Sequence, residues 1–465
     1  MGDDAWLFDE KVFIYSGGKE MKYKLKKSMA LMLGLLVMLA TLFGQPMSSQ
    51  AKSFDLEAES AILVDAETGK VLFAKNPDLV LPPASMTKMM TEYLVQEAIA
   101  NGDIDWDTKT QISDYAYSIS ANAYFSGVGL RQNKDYQVKE LYEAMAINSD
   151  NATTIALAEL IAGTETDFVK LMNAKAEEMG LTDYEFVNST GLDNESLGDM
   201  RPKGTDEKAT NLLSARSTAL LAYHLVNDYP EILDISSIPE MDFDGQEIRN
   251  WNWMLPHDAS FLKPFFYEGV DGLKTGFTEL AGNSFTGTAE RNGKRLITVV
   301  MKTDSREARF EETAKLLDFG FDQFEDKELF PAGYTLKNKS TIPVVKGKEK
   351  SVDIETKEAF QIPILKGEED QYSIDYHIDK SLLDKEGNLV APIKKGSKVG
   401  TAELVYEGDD FGYIFGGKDK KIEVDLVTKQ DVEKKNWFML TLSAVGDFFS
   451  NLFTSIVDMV KGWFS

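Results

Sequence analysis

Apolar residues recur at intervals of three and four along several stretches of the chain, which is the spacing of helices buried on one face. The first stretch begins at Ser85, and its apolar positions are Met86, Met89, Met90, Tyr93, Leu94 and Ala98. Pro82 and Pro83 precede it, as is typical of a helix start. The same periodicity predicts helices over residues 138–145, 152–161, 168–179 and 306–319.

Short apolar runs bounded by turn residues predict strands at both ends of this helical region. Residues 61–64 and 71–74 form a hairpin around a polar turn, and Gly269–Gly276 is a later strand. Residues 284–290 and 295–301 are joined through Asn292-Gly293, a strong hairpin signal. We therefore expect one α+β domain whose sheet is completed by distant segments of the chain.

Beyond residue 325 the pattern changes to short alternating runs separated by Lys-Gly, Pro and Asp, which predicts a small all-β domain. The sequence thus divides into four parts. They are an N-terminal extension with a signal peptide (1–51), a catalytic domain (52–325), an all-β domain (326–430) and a C-terminal amphipathic helix (431–465).

The N-terminal part has the features of a secretory signal peptide. Met21 opens a cluster of four lysines, an apolar run from Met29 to Phe43 follows, and small residues precede a cleavage site after Ala51. We infer that translation starts at Met21 and that residues 1–20 are a mis-assigned extension. The alternative is an N-terminal anchor that is retained.

Residues 437–465 combine apolar and aromatic positions along one broad helical face with polar positions on the other. A helix crossing the bilayer would place Asp447 and Asp458 in or near hydrocarbon, whereas a helix lying in the interface keeps both in water. We expect the tail to anchor the protein on the membrane surface. A helix packed on the protein itself and a transmembrane span are the alternatives.

Composition excludes several classes of function. A formal net charge of −26 argues against nucleic-acid binding, which needs clustered Lys and Arg. The absence of cysteine excludes disulfides, thiol catalysis and Cys-ligated zinc. The histidines, His224, His257 and His377, lie far apart and in no zinc-peptidase pattern. We expect neither a metal nor another cofactor.

Ser85 and Lys88 are three residues apart on the first predicted helix, which brings the amine near the hydroxyl. A serine hydroxyl is a weak nucleophile until a base takes its proton, and a lysine whose burial lowers its pKa can be that base. This pattern is weak by itself, because Ser16 and Lys19 repeat it.

Two more polar clusters lie in the same predicted domain. Ser149–Asn151 interrupts two apolar helices, where a loop facing a cleft is expected, and Lys274–Gly276 lies on a predicted strand. Ser120–Asn122 is a competing match for the Ser149–Asn151 cluster, but the helix-loop-helix setting favours Ser149.

In this order the three clusters resemble the active-site signature of penicillin-binding proteins and serine β-lactamases. From Glu57 to about Asp326 the chain is similar to the low-molecular-weight D-alanyl-D-alanine carboxypeptidases, including the segments Phe186–Leu192, Asn250–Leu255 and Gly269–Phe277. The β domain and apolar tail match the layout of that family. The resemblance implies a DD-peptidase/β-lactamase-like catalytic domain, with an antiparallel sheet and a helical lobe.

The resemblance also implies a mechanism on peptidoglycan pentapeptide stems. Ser85 attacks the carbonyl between the last two D-alanines, Lys88 accepts its proton, D-alanine leaves, and water hydrolyses the remaining serine ester. Ser149 relays a proton to the leaving amine, and Asn151 holds either the substrate or Lys88. β-Lactam antibiotics would act as acylating inhibitors of Ser85.

The strand of the third cluster is the implied substrate-binding strand. Lys274 and Thr275, followed by Gly276, bind the terminal carboxylate, for which Lys274 supplies a point charge. The oxyanion lies between the backbone N–H groups of Ser85 and Phe277. Phe277 departs from the family pattern, as do apparent insertions around residues 193–210 and 236–262, and we do not assume that Phe277 is neutral for specificity.

Two other readings stay open. A β-lactamase of the same superfamily would need an efficient water-activating base, and we interpret the nearest candidate, Glu185, as a surface residue. A wall-binding protein without turnover would not need Ser85, Lys88, Ser149 and Lys274 intact. The leading prediction is an exported carboxypeptidase at the outer face of the cytoplasmic membrane.

Overall fold

The computed structural model describes residues 55–416 and 420–436, together with residues 441, 445, 452–457 and 459 of the C-terminal tail. The predicted signal peptide and most positions of the predicted anchor lie outside the described residues.

A five-stranded antiparallel sheet joins the two ends of the catalytic region. Its strand order is β10-β11-β12-β1-β2, and β1 pairs with β12 so that Ala61 lies opposite Val300. This confirms that distant segments complete the sheet. The strands of this region are β1 (Ser60–Asp65), β2 (Val71–Lys75), β3 (Val80–Leu81), β4 (Lys109–Gln111), β5 (Asp135–Gln137), β6 (Tyr184–Glu185), β7 (Leu212–Ser214), β8 (Glu240–Phe243), β9 (Gln246–Arg249), β10 (Val270–Thr278), β11 (Gly282–Arg291) and β12 (Lys294–Thr303).

The helices fill the chain between these strands and follow them. They are α1 (Lys88–Ala100), α2 (Asp114–Ser120), α3 (Val138–Asn148), α4 (Asn151–Ala162), α5 (Glu165–Glu178), α6 (Asn194–Leu197), α7 (Ala215–Asp228), α8 (Ile232–Ser236) and α9 (Arg306–Gln323). The predicted helices correspond to α1, α3, α4, α5 and α9. α2 was not among the predicted helices, and Ser113 caps it by accepting a hydrogen bond from the backbone of Ala116.

Burial explains why the sheet holds these two distant segments together. All six residues of β1 are buried, as expected for a strand that is covered on both faces. α7 and α9 both pack on β12 and β1. The helical lobe, with α1 in contact with α3, α4, α5 and α7, extends the same hydrophobic core. The site residues on α1, α4 and β10 are therefore fixed to one core.

The C-terminal domain is all-β, as predicted, and has its own hydrophobic core. Six strands have the order β17-β19-β20-β15-β14-β18, and β13 pairs with β16. The strands are β13 (Phe324–Phe330), β14 (Thr341–Val345), β15 (Ser351–Thr356), β16 (Phe360–Leu365), β17 (Tyr372–Ile378), β18 (Leu389–Val390), β19 (Lys398–Tyr406) and β20 (Ile422–Thr428).

Residues 411–416, between β19 and β20, return to the catalytic domain. The backbone of Val71 donates a hydrogen bond to Gly412, and that of Ile414 donates to Gly69. Ile414 is buried in the catalytic core. These hydrogen bonds join a segment of the all-β domain to the turn between β1 and β2. Within the described residues, none of the helices has both the length and the apolar character needed to cross a bilayer.

Candidate active site

Ser85 lies in a short 3₁₀ turn, Ala84–Thr87, that leads directly into α1. Lys88 is the first residue of α1 and is fully buried. Its Nζ lies 2.9 Å from Oγ of Ser85, 2.8 Å from Oδ1 of Asn151 and 2.8 Å from the carbonyl oxygen of Thr190. The helical spacing therefore does bring the amine to the hydroxyl.

The three oxygens around the Lys88 amine can accept the three hydrogens of its charged form, and they also fit its unprotonated form. A neutral amine has two hydrogens and one lone pair. The oxygens of Asn151 and Thr190 can only accept hydrogen bonds, so they occupy the two hydrogens. The lone pair is then left for the hydroxyl proton of Ser85. An amine held in this way can accept that proton without a histidine.

Electrostatics favour the unprotonated form. Burial lowers the pKa of Lys88 well below its usual value, and the neighbouring charge of Lys274 lowers it further. Asp150 and Glu92 oppose this shift. Removing a cation from water is costly, so the protein reduces the cost by keeping the amine neutral.

The second cluster lies between α3 and α4. Ser149 has a left-handed backbone, with φ of 61°, and this ends α3. Asp150 then caps α4 by accepting from the backbone of Thr153, and it also accepts from Val128. Asn151 opens α4 and donates through Nδ2 to the carbonyl of Ser126. The two-residue break thus fixes Asn151 against Lys88.

The Oγ atom of Ser149 is buried and has no hydrogen-bond partner among the residues that the structure describes. A buried hydroxyl normally has a partner. Because Ser149 lines the same cleft as Ser85, its hydroxyl is available to a group that enters the cleft.

The third cluster lies on β10. A Cβ atom on Gly276 would stand 2.4 Å from the carbonyl oxygen of Pro83, so only glycine lets this strand pack on the turn that carries Ser85. Thr275 and Phe277 line the cleft, and 47% of Phe277 is exposed. Lys274 is buried, and burial lowers its pKa while Glu92 raises it.

A cleft of about 250 Å³ brings these parts together. Its wall includes five of the predicted residues, with Lys88 and Lys274 buried close by and Gly276 packed behind Ser85. None of the three residues of the competing cluster, Ser120–Asn122, lines the cleft, and the hydroxyl of Ser120 accepts a hydrogen bond from the backbone of Leu130. The residues lining the cleft are Ser85, Tyr124, Phe125, Ser126, Ser149, Asn151, Leu192, Trp251, Thr275, Phe277, Arg306 and Arg309.

Two arginines of the cleft were not predicted. Arg309 is buried and donates to the carbonyl of Gly276, and burial and the charge of Arg306 lower its pKa. The guanidinium of Arg306 lies over the rings of Trp251 and Phe277, at 5.7 and 5.5 Å. The sequence placed both arginines on one helix but gave no reason to bring that helix to the cleft.

The segment from Asn188 to Leu192 forms a loop that contacts Lys88. The side-chain oxygen of Asn188 accepts hydrogen bonds from the backbones of Thr190 and Gly191, and its amide donates to Leu192. This loop presents the Thr190 carbonyl to Lys88. The resemblance had singled out the segment Phe186–Leu192, but not the contact of Thr190 with Lys88.

Comparisons with known proteins identify the family of the chain. Residues 46–305 match the family model described as D-alanyl-D-alanine carboxypeptidase, and residues 324–434 match the C-terminal domain of penicillin-binding protein 5. D-alanyl-D-alanine carboxypeptidase DacF of Bacillus subtilis is 33% identical over 84% of this chain and 90% of its own length. DacC of Escherichia coli is 30% identical over 91% and 93%.

Solved structures give the same result. A peptidoglycan synthesis regulatory factor, PBP3, from Streptococcus pneumoniae has a TM-score of 0.63 and 35% identity, and covers 81% of this chain and 99% of its own. Penicillin-binding protein 5 from Haemophilus influenzae has a TM-score of 0.61 and 29% identity, with coverage of 82% and 98%. The chain therefore belongs to the D-alanyl-D-alanine carboxypeptidase family of serine peptidases, which are penicillin-binding proteins.

Proposed function

We propose that Ser85 is the nucleophile with which this carboxypeptidase removes the terminal D-alanine from peptidoglycan pentapeptide stems. The observation that carries the proposal is the Lys88 amine, which lies 2.9 Å from Oγ of Ser85 while two acceptor oxygens occupy its hydrogens. A base held in this way prepares the hydroxyl for attack.

In the acylation step, the oxygen of Ser85 bonds to the carbonyl carbon between the two D-alanines and its proton passes to Lys88. The carbon–nitrogen bond then breaks. Ser149 passes its proton to the departing amine and takes up the proton held by Lys88, so Lys88 returns to its neutral form. Water then bonds to the carbonyl carbon of the serine ester and gives up a proton, the bond to the Ser85 oxygen breaks, and that oxygen takes the proton.

The substrate is held by the wall of the cleft. Thr275 and Lys274 bind the terminal carboxylate, with Gly276 keeping the strand close to the nucleophile. The backbone N–H groups of Ser85 and Phe277 stabilise the oxyanion, and each such donor contributes roughly 2.7–4 kcal/mol to the transition state.

Mass spectrometry after exposure to a penicillin tests this assignment. We expect a long-lived adduct on Ser85 in the parental protein, and no adduct and no D-alanine release in Ser85→Ala. Ser118→Ala, which changes an exposed hydroxyl on α2, is the control and keeps both activities. Near-parental D-alanine release by Ser85→Ala would overturn the assignment.

The same experiment separates the alternatives. Rapid loss of the adduct indicates a β-lactamase, and a parental protein that never forms one is a wall-binding module. The position of Glu185 supports a carboxypeptidase over a β-lactamase, because Glu185 lies exposed on β6 and outside the cleft. Glu165 is a buried carboxylate, but hydrogen bonds from Ser189 and Tyr115 already occupy it, so it does not supply the water-activating base of a β-lactamase.

The chain's parts then take the following functions. Residues 1–51 direct export, residues 52–325 are the catalytic domain, and residues 326–430 form a spacer that holds it off the membrane. Residues 431–465 anchor the protein to the outer face of the cytoplasmic membrane as an in-plane helix. Support comes from the tail, where Phe453 is 70% and Met459 60% exposed, so both apolar side chains are free to enter a lipid surface.

A further inference from the structure

One buried carboxylate near the nucleophile has no part in the mechanism above. Glu92 follows Lys88 by one helical turn on α1, and Gln96 follows Glu92 by another. These three polar side chains form a buried stripe on a helix whose other buried positions are mostly apolar, with exposed fractions of 0%, 3% and 2%. A polar stripe of this kind is costly to bury.

The packing around Glu92 does not recover that cost. Its Oε1 atom has no hydrogen-bond partner among the described residues, and the same holds for Nε2 of Gln96 and the hydroxyl of Tyr142 on α3. A leucine or methionine at this position would pack against α3 without the desolvation of a carboxylate. A role in the fold alone therefore does not explain Glu92.

Glu92 lies one helical turn from Lys88, and α1 also contacts β10, the strand that carries Lys274. Among the neighbouring charges, that of Glu92 has the largest effect on the pKa of Lys274, and it raises that pKa. On Lys88 it acts more weakly than Lys274 and Asp150 do. Burial raises the pKa of Glu92, and Lys274 and Lys88 lower it, in that order.

Of the two buried carboxylates that act on Lys88, Glu92 is the one with an oxygen that accepts no hydrogen bond among the described residues. Asp150 is also buried, but its two oxygens accept from the backbones of Thr153 and Val128. The titratable and charged groups around the pair are Lys88 and Glu92 on α1, Lys274 on β10, Tyr142 on α3, Asp150 at the start of α4 and Arg309 on α9.

We propose that Glu92 is a positioning residue of the carboxypeptidase. Its buried carboxylate keeps Lys274 protonated while Lys88 stays neutral and free to accept the proton of Ser85. Lys274 then stays a cation for the substrate carboxylate during acylation. The inference rests on the roles proposed above for Lys88 and Lys274, and it adds the residue that assigns a different protonation state to each.

The test is the pH dependence of penicillin acylation and of kcat/KM for D-alanine release. In Glu92→Gln, which keeps the shape and removes the charge, Lys274 loses its proton at lower pH. We expect the basic limb of the profile to move toward acid by about one pH unit. Glu92→Asp keeps the charge, and its basic limb should stay within a few tenths of a unit of the parental one.

Gln96→Leu is the matched control, because it removes a buried polar group one turn away without changing charge. It should alter thermal stability but leave the profile in place. If Glu92→Gln folds poorly, Glu92→Met supplies a second neutral variant, which must show the same displacement. A folded neutral variant whose pH profile superimposes on the parental one overturns this inference but not the proposed function. A parental protein that is not acylated at Ser85 overturns the proposed function.

Discussion

Gly191 lies directly against the backbone of Ala84, the residue before the nucleophile. A Cβ atom at position 191 would stand 1.9 Å from the carbonyl oxygen of Ala84 and 3.0 Å from the backbone nitrogen of Ser85. Gly191 also has a positive φ of 84°. The loop that presents the Thr190 carbonyl to Lys88 therefore contacts the nucleophile turn as well, and this contact needs a residue without a side chain.

Gly191→Ala should displace the turn that carries Ser85. We expect a loss of stability of roughly 1–3 kcal/mol from the strained backbone and the contact, with penicillin acylation reduced much more than the stability loss alone would cause. Thermal denaturation and the rate of adduct formation measure the two effects.

Gly180→Ala is the matched control for that variant. Gly180 has a similar φ of 79°, but its added Cβ would meet nothing within 4 Å. It should lose stability through backbone strain and acylate at the parental rate. Equal acylation rates in the two folded variants would show that the Gly191 contact does not position Ser85.

Asn151 offers a direct test of how Lys88 is held. Asn151→Ala removes one acceptor of the Lys88 amine, and a lost hydrogen bond of about 1–3 kcal/mol corresponds to a decrease of roughly 5- to 150-fold in acylation. Asn151→Asp keeps the acceptor and adds a negative charge, which raises the pKa of Lys88.

The two Asn151 variants should therefore differ in how their acylation rates depend on pH. The alanine variant lowers the rate at every pH, whereas the aspartate variant moves the acid limb of the profile toward higher pH. Measurements of acylation against pH distinguish them. An acid limb that does not move in Asn151→Asp would contradict the assignment of Lys88 as the base.

The pH dependence of the parental enzyme follows from the two lysines. Burial lowers the pKa of Lys274 to about 8. Capture of the substrate carboxylate needs the charged form of Lys274, so kcat/KM should fall as the pH rises through about 8. Lys88 must be neutral to accept a proton, so activity also falls when the pH drops below its lowered pKa.

Lys274→Arg checks the basic limb, because a guanidinium keeps its charge at much higher pH. The variant should be slower, since a larger side chain replaces a buried lysine, but its rate should no longer fall near the parental basic limb. A limb at the same pH in this variant would assign the titration to another group.

Periodicity and motif order predicted much of the fold and of the site. The apolar spacing after Ser85 predicted α1, and the three-residue spacing of Ser85 and Lys88 predicted their contact, because both depend on local helical geometry. The structure makes that contact from the 3₁₀ turn before α1 and not from α1 alone. The resemblance extended this to Ser149 and Lys274, which are distant in sequence. Neither argument depends on how the rest of the chain packs.

The features that the sequence did not reveal arise from packing. The Thr190 carbonyl reaches Lys88 only because Asn188 shapes the loop, and Arg309 reaches Gly276 only because α9 lies beside the sheet. Glu92 had a sequence signal, since it is one turn from Lys88 on the predicted helix. That signal was missed because the burial of this helical face was read from apolar residues alone.

The described part of the tail exposes apolar side chains on one side of a helix. Val445, Leu452, Phe453, Ile456 and Met459 are between 46% and 70% exposed, and their spacing of three, four and seven is that of one face. Exposed apolar groups of this size each gain about 1.5–3 kcal/mol from full burial. A lipid interface supplies that burial without placing Asp447 and Asp458 in hydrocarbon.

Truncation after Lys435 should therefore release the enzyme from vesicles and leave its activity on small peptides unchanged. Phe453→Ser with Ile456→Ser tests the same face in the full-length chain, and Ser455→Thr, a polar change at an exposed position between them, is the control. Co-sedimentation with neutral phosphatidylcholine vesicles measures binding. We expect the parental protein and the control to sediment and the other two variants to stay in the supernatant, because burial of apolar groups, and not charge, holds the helix. If the truncated protein still sediments with the vesicles, residues 436–465 are not the anchor.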